Sequence, residues 1–136
     1  MLTGGSGLSI ESYFQQIAAL IEASPIIQSS NMTYDKRARH EGFIRGELYF
    51  VDGSTLHLRE YVDVEDGIDR FTYVYQYMDA QHALVFRYDN TGHHKKLNLP
   101  THPHHKHMGS EDVVVASSAP SLADVLNEIM MMADLL

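Results

Sequence analysis

The sequence predicts an α+β fold: an antiparallel meander sheet of four to six strands, covered on one face by an N-terminal and a C-terminal helix. Three observations carry this prediction. Apolar residues recur at three-and-four spacing only towards the two ends of the chain. Between Gly42 and Tyr88 they alternate with period two. Short turn signals, Asp52-Gly53 and the acidic run Asp63 to Asp69, separate the alternating runs, which suits hairpins rather than crossovers.

The first helix opens at Ser9, with Leu8 before it as a hydrophobic staple and Glu11 in the first turn, where the helix dipole favours a negative charge. Ile10, Tyr13, Phe14, Ile17, Leu20 and Ile21 form one apolar stripe. Ser24-Pro25 ends it, because proline disfavours helical geometry in the residue before it. Ile26 to Tyr34 reads as a linker and then a short strand, and Asp35 to His40 as a charged turn or an exposed strand edge. From Gly42, Ile44, Gly46, Leu48 and Phe50 share one face, with Phe43, Arg45, Glu47, Tyr49 and Val51 on the other. Thr55 to Val62 follows, with Leu56, Leu58, Glu60 and Val62 opposed to Thr55, His57, Arg59 and Tyr61. Phe71, Tyr73, Tyr75 and Tyr77 then alternate with Thr72, Val74, Gln76 and Met78, and Ala83 to Tyr88 is a further strand. Val113 to Ala116 reads as an edge strand through which two copies could pair. Ser121 and Asp124 stand at capping-box spacing before the last helix, whose stripe is Leu122, Val125, Leu126, Ile129 and Ala133.

A chain of 136 residues, 44% hydrophobic and 21% charged, is expected to be one domain: a flexible leader over 1–8, then an α+β unit over 9–136 carrying a histidine-rich loop over 93–107. No cysteine is present, which excludes disulfides, thiolate catalysis and cysteine-based zinc sites. No apolar run approaches the ~20 residues that span a bilayer, and the start lacks the basic and apolar regions of a signal peptide. A cytoplasmic protein without a membrane partner is therefore expected.

The strongest chemical signal is Arg87 to His107, RYDNTGHHKKLNLPTHPHHKH, which holds six of the nine histidines: His93, His94, His102, His104, His105 and His107. From Phe86 to Met108 there are four Lys/Arg and one acid, so this segment is cationic on a chain of net charge −8. Histidine titrates near neutral pH and is also the commonest metal ligand, so both readings stand. Because Pro100 and Pro103 exclude a central strand where they stand, the segment is expected to be a loop. On the sheet, Arg45, Glu47, Tyr49, His57, Arg59 and Tyr61 share a phase, and Arg87 and Asp89 share another whose face depends on register. The tyrosine run reads first as packing and second as a stacking platform. Glu60, in phase with apolar neighbours, is either a structural partner or a general base of raised pKa.

Several stretches together resemble the TumE family of bacterial toxin–antitoxin proteins: GFIRGELYFVDGSTLHLREYVDVE from Gly42, FTYVYQYMD from Phe71, FRYDNTGHH from Phe86, PTHPHHKH from Pro100 and SSAPSLADVLNEI from Ser117. The RYDN…HH and PHHKH elements are the most specific. In the resembled pattern a phenylalanine precedes the second proline, where this chain has His102. The resemblance implies a toxin component whose partner is a cognate antitoxin with a helix-turn-helix domain.

For such a toxin, the residues suit a metal-independent ribonuclease, with RNA as substrate. His104, His105 and His107, with His93 or His94, are the candidates for proton transfer. Asp89 would orient a histidine, and Glu60 is a further candidate base. Arg87 and Lys106 would hold phosphate, with Arg45, Arg59 and Tyr75 as additional substrate contacts. No cofactor is then needed. In the alternative reading His102, His104, His105 and His107 bind zinc or nickel, since i, i+2 spacing puts two side chains on one side of an extended chain. A third reading is a non-catalytic interaction module.

Overall fold

Helix α1 (Ile10–Ala23) forms where the stripe predicts it: Ser9 caps it by accepting the Ser12 amide, and Ile10, Tyr13, Ile17 and Ile21 are its buried residues. The structure is a computed structural model that describes residues 7–90, 104–110, 114–117 and 119–133. After α1 come seven strands, β1 (Ile27–Lys36), β2 (Glu41–Phe50), β3 (Thr55–Asp63), β4 (Asp69–Met78), β5 (Leu84–Asp89), β6 (His105–Met108) and β7 (Val114–Ala116), then helix α2 (Leu122–Ala133). All strand pairings are antiparallel and the spatial order is the chain order, β1 to β7. The α+β meander with one helix from each end is as expected, and the ladder runs to a seventh strand.

The added length has two sources. β1 is the short strand expected before Tyr34, lengthened over most of the segment read as linker and into the start of the segment read as a charged turn or exposed strand edge. As an edge strand it is mostly exposed, so its side chains carry no clear alternation for a pattern to detect. β6 lies inside the segment expected to be a loop, and that expectation is corrected for His105, Lys106 and His107. The prolines forbid ladder donors only at their own positions, and β6 begins after Pro103, paired with β5 on one side and β7 on the other.

The core lies between the sheet and the two helices. Ile44, Leu48, Phe50, Leu56, Leu58, Val62, Tyr73, Tyr75, Tyr77 and Phe86 pack with the α1 stripe and with Leu122, Val125, Leu126 and Ile129 of α2. Gly42 permits the close approach of α1: a Cβ there would meet the Phe14 and Ile10 side chains at 2.7 and 2.8 Å. Ser121 and Asp124 complete the capping box, each side chain accepting the other's amide. A bulge interrupts the β3–β4 ladder: Tyr61 pairs with Thr72 but Val62 pairs with Arg70, which leaves Phe71 as the extra residue. The bulge turns Arg70 towards the helices. Among the described residues, no helix is long and apolar enough to cross a membrane.

Candidate functional site

Register settles which side chains share the face away from the helices. One row across the strands reads Asn31, Glu47, His57, Gln76, Arg87 and His107; the next reads Thr33, Arg45, Arg59, Val74 and Asp89. Arg87 and Asp89 therefore belong with Arg45, His57 and Arg59. The rows are about 7 Å apart along the strands and neighbouring strands about 5 Å apart. A groove of about 450 Å³ lies over them, lined by Arg45, Arg59, Arg87, His57, Glu47 and Gln76 among others.

Arg45 and Arg59 are direct cross-strand partners. Like charges in that position oppose the fold. Both side chains are exposed, and among the described residues no carboxylate or other acceptor pairs with either. Two neighbouring guanidinium groups of this kind suit an anion that can bridge them.

At the far side of the groove lies a buried charged cluster. Asp89 is 1% exposed, with the Arg87 Nε 3.1 Å and the His107 Nε2 3.6 Å from its Oδ2. Arg87 reaches from this carboxylate into the groove, which it lines. A carboxylate beside an imidazole can orient the ring. The cluster can thus hold a histidine for proton transfer next to a phosphate-binding arginine.

Strand alternation divides the PHHKH element between the two faces. His107 is on the groove face. His104 is on the helix side, its Nδ1 2.8 Å from the Tyr73 hydroxyl and its ring stacked on that of Tyr73. Lys106 is also on the helix side, bonded to Glu128 of α2 at 2.9 Å. Burial works against its charge, but bonds with Tyr88 and Glu128 outweigh that and raise its pKa. The backbone of His105 pairs with Asp89 and with Ala116.

Glu60 is 1% exposed and lies under the helices. It accepts hydrogen bonds from the Tyr13 and Tyr75 hydroxyls, each 2.5 Å long. Arg70 donates to the Tyr75 hydroxyl and to the carbonyls of Ala119 and Pro120, and lies 4.3 Å over the Tyr73 ring. The phenols of Tyr13 and Tyr75 are pushed well above the ordinary tyrosine range, by burial first and by the Glu60 charge second. Tyr73 is raised to about 12, chiefly by burial. Arg70, Tyr13 and Glu128 had no place among the sequence candidates, and Tyr73 entered only as part of the tyrosine run. Arg70 stands beside that run, but the bulge that aims it inward leaves no sequence signal.

Of the sequence candidates, the structure brings Arg45, Arg59, Arg87, Asp89 and His107 to one face. It puts Glu60, Tyr75, His104 and Lys106 on the other, with Tyr75 fully buried. His93, His94 and His102 lie outside the described residues. His104 and His107 stand on opposite faces of the sheet; the side chain of His105, like His102, lies outside what the structure describes. Among the described residues no three His, Cys, Asp or Glu side chains come together to hold a metal ion.

The model of one protein family, described as Toxin TumE, matches residues 17–132. That span includes every residue of the groove and the Asp89 cluster, and all of the Glu60 network except Tyr13. No curated protein and no solved structure matches the chain.

Proposed function

Because the chain belongs to the toxin TumE family, and so serves as the toxin of a toxin–antitoxin pair, we propose that it acts by cutting RNA on the groove face without a metal. The observation that supports this most is the juxtaposition of buried Asp89 and His107 and half-buried Arg87 with a groove lined by Arg45, Arg59 and Arg87. RNA carries its own nucleophile, the 2′-hydroxyl. A base removes its proton, the oxygen attacks phosphorus, and the P–O5′ bond breaks. The leaving oxygen takes a proton, giving a 2′,3′-cyclic phosphate and a 5′-hydroxyl. His107, held by Asp89, carries one of these protons, and Arg87 neutralises charge that builds on the phosphorane. The second carrier comes from His105, His93 or His94; the backbone of His105 lies two residues from His107, directly opposite Asp89. Arg45 and Arg59 hold a neighbouring phosphate.

In this reading the protein works in the cytoplasm, and its cognate antitoxin, a helix-turn-helix protein, silences it by covering the groove face. Edge strands β1 and β7 leave the pairing of two copies open as a route to a dimer.

The test is induced expression of the wild type, His107→Ala and Asp89→Asn, with end analysis of cellular RNA and metal analysis of the purified proteins. Growth arrest with cyclic-phosphate ends, lost in both variants while circular dichroism is unchanged, is the expected result. Arrest by His107→Ala at the wild-type level would remove the cluster from the mechanism. Stoichiometric zinc or nickel, needed for activity, would replace proton transfer with metal chemistry.

A further inference from the structure

We propose that the concavity between Phe43, Thr72, Val74 and the Arg45–Arg59 pair is a base-binding pocket, so that the substrate is single-stranded RNA. The inference rests on the ribonuclease reading and adds the substrate class.

The β4 bulge leaves Phe71 and Thr72 together opposite Tyr61. Three rings then gather at one end of the groove face. Phe43 and Tyr61 stack with centroids 4.5 Å apart and planes 9° from parallel, and Phe71 meets Tyr61 edge-on at 5.1 Å. Phe43 remains 36% and Phe71 44% exposed. Cross-strand packing explains the stack itself, but not its position one row from two like-charged arginines that have no partner among the described residues.

Between the rings and the arginines lies a concavity of about 320 Å³, the scale of a single small ligand. Phe43 supplies a ring, Val74 an apolar wall and Thr72 a hydroxyl for a base edge. Arg45 and Arg59 stand on its rim. Arg45 also lines two neighbouring concavities, of about 430 and 450 Å³. A phosphate bridging the two guanidinium groups thus has room for a base on either side. Arg37 covers the Phe43 ring at 4.8 Å, but it is an exposed side chain paired with exposed Asp35, so a base displaces it at little cost. A duplex cannot use this arrangement, because its bases are stacked on each other and turned inward. An unpaired strand offers its base faces to rings and its phosphates to arginines.

The experiment measures binding by fluorescence anisotropy with a 2′-O-methyl oligouridylate, which lacks the nucleophile and is not cleaved, and with an RNA duplex of equal length. The wild type is expected to bind the single strand about tenfold tighter than the duplex. Phe43→Leu, which keeps the apolar volume but loses the ring, should weaken single-strand binding about tenfold, the loss of one stacked base, and leave duplex binding unchanged. Phe43→Trp should restore it. Single-strand binding unaltered in Phe43→Leu, or equal binding of both probes, would overturn the proposal. So would displacement of the oligouridylate by poly-L-glutamate at equal charge, which would mark the face as a site for acidic protein segments. RNA cleavage together with any of these results would leave the ribonuclease reading standing. Selective binding without cleavage would leave the pocket standing and end that reading.

Discussion

Arg45 and Arg59 face each other across β2 and β3 with no described partner, and that pairing makes an opposed prediction for stability and function. Arg59→Thr removes the repulsion and installs a good strand former, so thermal denaturation should show a gain of roughly 0.2–1 kcal/mol while RNA binding weakens. A loss of stability would mean that the guanidinium supports the fold. The buried phenols make a second prediction. Tyr13, Tyr73 and Tyr75 have folded-state pKa values above the ordinary 10.0, from burial before any other cause. As pH rises past 10 the unfolded chain releases these protons first. The stability they contribute is therefore complete below that pH and lost as pH climbs towards the folded values, near 12 for Tyr73. Denaturant midpoints between pH 9 and 12 should fall across this window, and less steeply in Tyr73→Phe. At this scale the sequence was legible wherever phase alone decides: it set Arg45, His57 and Arg59 together and set Glu60 among apolar neighbours. It could not separate His104 from His107, because that needs the knowledge that PHHKH is extended. The bulge at Phe71 defeats any count by twos, which is why Arg70 went unseen.

Two elements depend on single contacts that can be tested separately. β1 lies so close to β2 that a Cβ on Gly46 would stand 2.4 Å from the Asn31 carbonyl oxygen, a backbone atom that cannot swing away. Gly46→Ala should cost about 1–3 kcal/mol and, in hydrogen exchange, loosen the β1 amides before those of β3 and β4. Lys106 and Glu128 tie β6 to α2 through a mostly buried bond that Tyr88 shares through its own hydroxyl contact to Glu128. Glu128→Ala should cost about 1–3 kcal/mol, the range for a hydrogen bond to a charged group that leaves its partner buried. Exchange protection should fall in α2 and β6 and hold in β2 and β3. Both helices, the Asp52-Gly53 hairpin and the central strands were legible because caps, turns and periodicity agreed. β6 was not, because three polar residues and a methionine close behind two prolines look like a loop until neighbouring strands supply their hydrogen bonds.

For the whole molecule, the relevant fact is a net charge of −8 set against a face that gathers Arg45, Arg59 and Arg87. If RNA is the ligand, as proposed above, repulsion from the remaining surface should confine it to that face, and the salt dependence of binding should count only its arginines. With three phosphate contacts the slope of log K against log salt should be about −2, falling to roughly −0.7 in Arg45→Ala/Arg59→Ala. A slope several times steeper would mean that other cations, including those outside the described residues, carry the strand. The fold class was legible at this scale because an antiparallel meander is a local pattern repeated. The site was only partly so: its residue types were visible, and their division between two faces required the register.

The chain-order sheet also bears on how the protein is made. Each strand pairs with the one synthesised just before it, so the ladder can zip in step with translation and should fold fast for a β-rich protein. The contacts that close the structure come from the end of the chain: Arg70 waits for Ala119 and Pro120, and Lys106 waits for Glu128. A ribosome-bound chain that has emerged only as far as β5 already displays Arg45, Arg59, Arg87 and Asp89 but has not yet received His107. In the ribonuclease reading proposed above, the nascent chain would grip RNA before it could cut it, which would give an antitoxin an interval in which to engage a chain that is still harmless.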